Sequence, residues 1–228
     1  MTRFPPYVAT VISLLAVLGL LLLTALVAGV TWLSIRNSRR HLARLRQRAA
    51  EAARFGWYLV PPNPWLLDVA GRLYRRGRPG ETFAGDFRGR GMCAFDYRYT
   101  TSSGNSQQTH HVHLVVMNLP VALPPLTLSR HSGLRRSDFE LENQKFNDTF
   151  RIACLDNRYA SAVVHPRLME WMLYNPGLEW QIAGNALVSW GPGDFTIADV
   201  VGRLEVMSRL VDLIPPFVLR DYGRPVFR

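Results

Sequence analysis

Gly91-Met-Cys-Ala-Phe-Asp-Tyr-Arg-Tyr-Thr-Thr101 alternates Cys93, Phe95, Tyr97 and Tyr99 with Ala94, Asp96, Arg98 and Thr100. A period of two marks a strand with one face in a core, because successive side chains leave a pleated strand on opposite sides. The pattern stops at Ser102, and after the polar loop Ser102 to Gln107 a second strand, Thr109 to Asn118, follows. The two read as an antiparallel hairpin with a loose tip. Helical signals on both sides of it make the expected class α+β.

Working outward, Leu126 to Arg130 and Phe139 to Leu141 are expected as shorter strands and Glu142 to Thr149 as a helical turn. Phe150 to Leu155 reads as a strand, and Arg158 to Val164 and Pro166 to Tyr174 as helices. Leu178 to Ala183 and Ala186 to Trp190 suggest a second hairpin across Gly184-Asn185. A C-terminal helix, Ile197 to Leu213, carries Val200, Leu204, Met207, Leu210 and Val211 on one face and stops before Pro215-Pro216. Upstream, Thr82 to Arg88 reads as a strand in a Gly- and Arg-rich connector. Trp65 to Arg76 reads as a short helix, with Asn63 as its N-cap and Pro64 at its first position.

The N-terminal part obeys a different pattern. From Phe4 to Ile35 no residue is charged, and Val11 to Val30 is dominated by Leu, Val and Ala. About 20 such residues cross a hydrocarbon core of ~30 Å, and the polar stripe of a surface helix is missing. Tyr7 and Trp32 stand where aromatic side chains prefer the two interfaces. Only Arg3 precedes the run, whereas Arg36, Arg39, Arg40, Arg44, Arg46, Arg48 and Arg54 follow it. That asymmetry predicts a plasma-membrane protein with its C-terminal domain in the cytoplasm. A cleaved signal peptide is the rival reading, disfavoured by the length of the apolar run and the arginines that would begin the mature chain.

The expected organisation is a short tail (1–7), a transmembrane helix (8–35), a basic juxtamembrane helix (36–54) and one mixed domain (55–228). Leu42, Leu45, Ala49 and Ala52 recur at three- and four-residue spacing in the basic helix, which reads as a headgroup-facing helix or as a homodimer seam. Tyr58 to Pro64, with its prolines, breaks it.

Charge location excludes one class of partner. Residues 1–90 hold 14 arginines against 4 acidic residues, while residues 91–228 hold 13 basic and 13 acidic ones. Most of the domain is therefore neutral, and the net charge of +10 points to a membrane surface rather than to nucleic acid. Arg36, Arg39, Arg40, Arg44, Arg46 and Arg48 are the candidate contacts to lipid headgroups.

Three blocks carry a resemblance: Leu119-Pro120 through Leu123-Pro124 to Leu128, then Leu141-Glu142 through Phe146-Asn147 to Phe150-Arg151, then His165-Pro-Arg-Leu-Met-Glu-Trp171. With Gly56-Trp57, Phe95-Asp96-Tyr97, Trp180 to Gly184 and Ile214 to Val218, they resemble a family of uncharacterised actinobacterial single-pass membrane proteins, a domain of unknown function, over roughly residues 55–223. The resemblance implies one domain behind an anchor. It implies no catalytic residues.

Chemistry-bearing residues are present without a convincing pattern. His111 and His113 share a strand face beside His110, yet two ligands fall short of a metal site and no acid or thiol stands at ligand spacing, so neither metal nor cofactor is expected. Cys154, Asp156 and His165 supply the residue types of a thiol hydrolase, but Cys154 lies inside an alternating strand. Cys93 and Cys154 form no disulfide framework and read as strand hydrophobes with free thiols. Gly85 to Gly91 lacks the spacing of a phosphate loop and reads as a turn, with Arg88 and Arg90 within reach of lipid phosphate. Trp171, Trp180 and Trp190 read as core.

The expected function is a non-enzymatic, membrane-anchored binding or scaffold protein whose partners are membrane lipids and another protein. A pleckstrin-like reader of anionic headgroups is the alternative, and a thiol-dependent hydrolase the third.

Overall fold

A computed structural model describes residues 6–104, 106–130 and 139–226, the side chains of 6–18, 20–22 and 41 excepted. The chain divides into two compact units, Met1–Arg48 and Ala49–Arg228.

Helix α1 runs unbroken from Pro6 to Ala53. It ends where Gly56 adopts φ +74° and the Trp57 amide donates to the Ala52 carbonyl at 3.0 Å. Only glycine takes that backbone region without a Cβ penalty. Among the described residues no helix is long and apolar enough to cross a membrane. Much of the expected span 8–35, Tyr7 beside it included, has its side chains outside the described residues.

The second unit is mixed α+β with an antiparallel sheet. In chain order its elements are β1 (Tyr58–Leu59), α2 (Pro64–Leu73), β2 (Gly77–Phe87), β3 (Arg90–Ser103), β4 (Ser106–Arg130), α3 (Gln144–Thr149), β5 (Phe150–Cys154), α4 (Asn157–Val163), α5 (Pro166–Leu173), β6 (Trp180–Pro192), α6 (Ile197–Leu213) and α7 (Pro216–Asp221). Strands β1 to β5 follow one another across the sheet, and β6 pairs with β4. Along Val112 to Met117, β4 has β3 on one side and β6 on the other; along Leu126 to Leu128 it has β5 and β6. Strand β5 thus takes over the side that β3 leaves.

Helix α2 starts as its sequence demands: Asn63 caps it, its side chain accepting from the Trp65 amide at 2.9 Å, and Pro64 opens it. The hairpin of β3 and β4 is tighter than expected, since Ser103 pairs with Ser106 and the ladder extends almost to the tip.

Two expectations are corrected. Asn118 and Leu126 belong to one 25-residue strand, although Pro120, Pro124 and Pro125 lie between them. Prolines are tolerated there because β3 stops pairing at Met117 and β5 begins at Leu126, so one side of this stretch needs no ladder donor. The second correction is Gly184-Asn185, which is no hairpin turn. Gly184 has φ +58° inside the continuous β6, and the β4–β6 register shifts opposite it. The glycine makes a bulge that bends both strands together. In addition, Phe139 to Leu141 forms no strand, and α7 follows Pro215 where no helix is expected.

The sheet has two unequal faces. One packs Phe83, Ala94, Val115, Met117 and Leu187 against Tyr159 of α4, Leu168 and Met172 of α5, and Leu204, Met207 and Leu210 of α6. The other packs Phe95, Tyr97, Leu114 and Val188 against Leu66, Val69 and Ala70 of α2. Trp180 is fully buried on the larger face, and Trp171 and Trp190 are half-buried.

Candidate functional site

The turn from β6 into α6 builds a polar cleft at the edge of the larger core. Thr196 and Asp199 form a capping box: Thr196 Oγ1 accepts from the Asp199 amide at 3.1 Å, and Asp199 Oδ2 accepts from the Thr196 amide at 3.0 Å. This fixes the first turn of α6. The Thr196 hydroxyl also donates to Asp199 Oδ2 at 2.7 Å, and this bond, with the one from the Thr196 amide, holds the Asp199 carboxyl below its ordinary pKa.

Arg203 lies one turn after Asp199 and therefore on the same helix face. Its Nη1 donates to Ser189 Oγ at 2.8 Å and to the Trp190 carbonyl at 2.9 Å. Ser189 is fully buried and in turn donates to the Glu179 carbonyl at 2.7 Å. Burial pulls the guanidinium pKa down, opposed by Tyr74, Asp199 and Glu179.

His113 reaches the same place from β4. It is 6% exposed, with Nδ1 3.0 Å from the Gly193 carbonyl. A carbonyl only accepts, so Nδ1 carries the hydrogen and Nε2 is left as the acceptor. Burial lowers the imidazole pKa and Arg203 pushes the same way, against the Gly193 carbonyl, Asp96 and Asp199. Beneath it Asp96, 3% exposed, accepts from the Phe195 amide at 3.1 Å and pins the turn. Asn175, Asp194 and Val206 complete a cleft of about 460 Å³.

Gly191 lets the two side chains pack directly onto its backbone. A Cβ there would stand 2.7 Å from His113 Cε1 and 2.8 Å from both His113 Nε2 and Arg203 Nη2. His113 Nε2 and Arg203 Nη2 are thereby neighbours over the Gly191 backbone, where any larger residue would push them apart.

The structure places the sequence-derived candidates as follows. Arg36, Arg39, Arg40, Arg44 and Arg46 are exposed on α1 and Arg48 is half-buried. The Arg36 guanidinium lies 5.1 Å from the centre of the Trp32 ring. Arg88 and Arg90 turn to α6 instead: Arg88 pairs with Glu205 at 2.7 Å, and Arg90 reaches Ser208 at 2.9 Å and Asp212 at 2.8 Å. Gly85 to Gly91 contains the two-residue turn of the β2–β3 hairpin, Arg88-Gly89, with both residues at positive φ.

Each of the three strand histidines has its own partner. His110 stacks on Tyr99 and sits 2.8 Å from Thr101 Oγ1, while His111 lies 3.3 Å from Asp194. Among the described residues no group of three His, Cys, Asp or Glu could hold a metal ion. Cys154, Asp156 and His165 are engaged separately. Asp156 caps α4 through the amides of Arg158 and Tyr159, His165 Nε2 donates to the Leu213 carbonyl at 3.0 Å, and Cys154 Sγ lies 3.4 Å from the Asp156 carbonyl. Both cysteines are free, and burial pushes the Cys93 thiol up to about 12. A thiol so held is protonated and unreactive.

Sequence reasoning missed Arg203, Asp199 and Ser189. The one local signal was Thr196-x-x-Asp199 at the start of α6, a capping pattern that also fixes where Arg203 points.

No model of a known protein family matches the chain, and no curated protein matches it. Among solved structures it is similar to the crystal structure of the mycobacterial trehalose monomycolate transport factor A, TtfA, with 14% identity and a TM-score of 0.54, over 80% of this chain and 97% of that one. Identity this low shows a shared fold.

Proposed function

We propose that this protein is a non-enzymatic, membrane-tethered binding or scaffold module, its domain at the inner face of the plasma membrane and its partner another protein. The observation that carries the reading is the surface of α1. Leu23, Leu26, Val27, Val30, Leu33 and Ile35 are each more than half exposed. A continuous apolar surface of that kind is a poor match for water and a good one for hydrocarbon. It continues the uncharged sequence from Phe4 and meets the arginines at Arg36. The neighbour's designation as a transport factor supports a role beside membrane transport machinery by analogy of fold alone.

The test is a pair of C-terminal reporters in the native host, alkaline phosphatase and a fluorescent protein that folds only in the cytoplasm, with carbonate washing of the membranes. Fluorescence, little phosphatase activity and retention in the washed membranes are expected. Strong phosphatase activity overturns the orientation, and release by carbonate overturns the anchor. Proximity labelling from the domain should then mark a small set of membrane proteins, and uniform labelling of bystanders counts against a scaffold.

A second reading, recognition of anionic headgroups, is favoured by the exposed arginines. Each Arg near an anionic surface contributes about 1 kcal/mol. Replacing Arg39, Arg40, Arg44, Arg46 and Arg48 with Gln should abolish low-salt binding of a fragment from Asn37 onward to anionic vesicles. Binding that survives deletion of residues 36–54 and depends on lipid type assigns headgroup recognition to the domain itself.

A further inference from the structure

We propose that the cleft between β6 and α6 binds a small, neutral, polyhydroxylated molecule, one hydroxyl of which bridges His113 Nε2 and Arg203 Nη2. The inference concerns the domain alone and stands whether or not α1 crosses a bilayer.

The unfilled hydrogen-bonding capacity around Gly191 selects the ligand. Arg203, which lines the cleft, spends Nη1 on Ser189 and Trp190, which fixes the guanidinium plane and leaves Nη2 beside His113 Nε2. His113, also in the cleft wall, spends Nδ1 on Gly193, which fixes the ring and leaves Nε2 beside Arg203 Nη2. One nitrogen donates and the other accepts. A hydroxyl serves both at once, accepting from Nη2 and donating to Nε2.

Ions fit worse. A carboxylate or phosphate would satisfy Arg203 but set its lone pairs against that of His113, with the Asp194 and Asp199 carboxylates on the same walls. A cation would satisfy His113 and meet the guanidinium. The remaining wall carries Asn175, whose Nδ2 donates to the Trp171 carbonyl at 2.9 Å, and the Asp194 and Asp199 carboxylates among apolar residues. Further ligand hydroxyls can donate to Asn175, Asp194 and Asp199. The cleft, at about 460 Å³, falls within the ~300–1,000 Å³ usual for small-molecule sites. It is far larger than one bridging water requires.

The experiment uses the full chain in nanodiscs and ligand-observed saturation-transfer NMR. Probes are glucose, a glucose disaccharide, myo-inositol and glycerol, with inorganic phosphate and citrate as the anionic arm. The blocking variant is Gly202→Gln. Gly202 lines the cleft from an exposed position of α6, and a Cβ there would meet no atom within 4 Å, so the variant fills the opening without disturbing the core. His113→Ala, which removes the acceptor, is the second variant, with near-UV circular dichroism checking that each variant is folded.

Saturable transfer to at least one polyol is expected, weakened about tenfold or more in both variants, the scale of a lost buried hydrogen bond. Absence of saturable binding by every polyol overturns the proposal. So does polyol binding that survives Gly202→Gln, and so does tighter binding of phosphate or citrate than of any polyol.

Discussion

Helix α6 buries Val200, Leu204, Met207 and Leu210 to 1% exposure or less, whereas α1 leaves Leu23, Leu26, Val27 and Val30 between 54% and 65% exposed. Both helices are made of the same aliphatic side chains. What separates them is periodicity. In α6 the apolar residues fall on one side and alternate with Glu205, Arg209 and Asp212, so one stripe meets the sheet and the other meets water. In α1 the uncharged run from Phe4 to Ile35 leaves no polar stripe, the pattern of a helix enclosed on every side by protein or by hydrocarbon. Apolar content by itself therefore identifies neither a core helix nor an anchor; its angular distribution does.

The widest separation between the two helices is expected on deleting residues 1–35. On the proposed reading the protein should pass from carbonate-resistant membranes to the supernatant essentially completely, since it loses the ~20 apolar residues proposed as the anchor. Retention of the shortened chain in washed membranes would mean that the domain holds the bilayer by itself, and the contrast between the helices would lose its meaning.

A smaller effect separates the helices inside one fold. Leu204→Ala should destabilise the domain by about 3 kcal/mol, through lost burial and the cavity left behind. Leu26→Ala should change the same urea midpoint by less than about 0.5 kcal/mol, as a position outside the domain's core. Equal shifts would show that α1 shares the domain's cooperative unit.

Thr196→Ala removes the hydroxyl half of the capping box and should cost about 1 kcal/mol. The Asp199 carboxyl should titrate closer to its ordinary range in that variant, because the Thr196 hydrogen bonds hold it down. Carboxylate NMR titration reads this directly, and an unmoved Asp199 would sink the assignment.

The smallest effect is the pH response of His113. Its folded-state pKa is lowered, chiefly by burial, so the unfolded chain binds a proton more readily than the folded one. The stability contributed is fully present above the ordinary histidine value of ~6.5 and is lost as pH falls below it. The groups facing the ring are Arg203, Asp96 and Asp199. Thermal midpoints from about pH 7.5 to about pH 5.5 should fall more steeply in the natural protein than in His113→Gln. Parallel curves would assign the pH dependence to other groups.

Much of the fold was legible because helices and half-buried strands repeat at periods set by backbone geometry. Ile197–Leu213 is the helix expected from its apolar stripe, and Asn63-Pro64 starts α2 as its side chains require. Pro120, Pro124 and Pro125 misled because a proline excludes a strand only where a neighbour needs its missing hydrogen. Gly184-Asn185 misled in the opposite sense, since a glycine at positive φ serves a bulge as well as a turn.

The cleft was scarcely legible. His113 reads as one of three strand histidines until the chain returns 80 residues later and sets the Gly193 carbonyl on its ring. Asp96 and Phe195 meet across 99 residues, and Arg203 reaches Ser189 from the far side of a turn. By itself the sequence determined the α+β class, the cap of α2 and the neutrality of most of the domain, since each depends on near neighbours or on counting charge. Tertiary structure alone decided which histidine is buried, where Arg88 and Arg90 point and which polar groups face one another. A hydrogen bond between strands distant in sequence depends on register, and register is settled only when the whole sheet closes on its core.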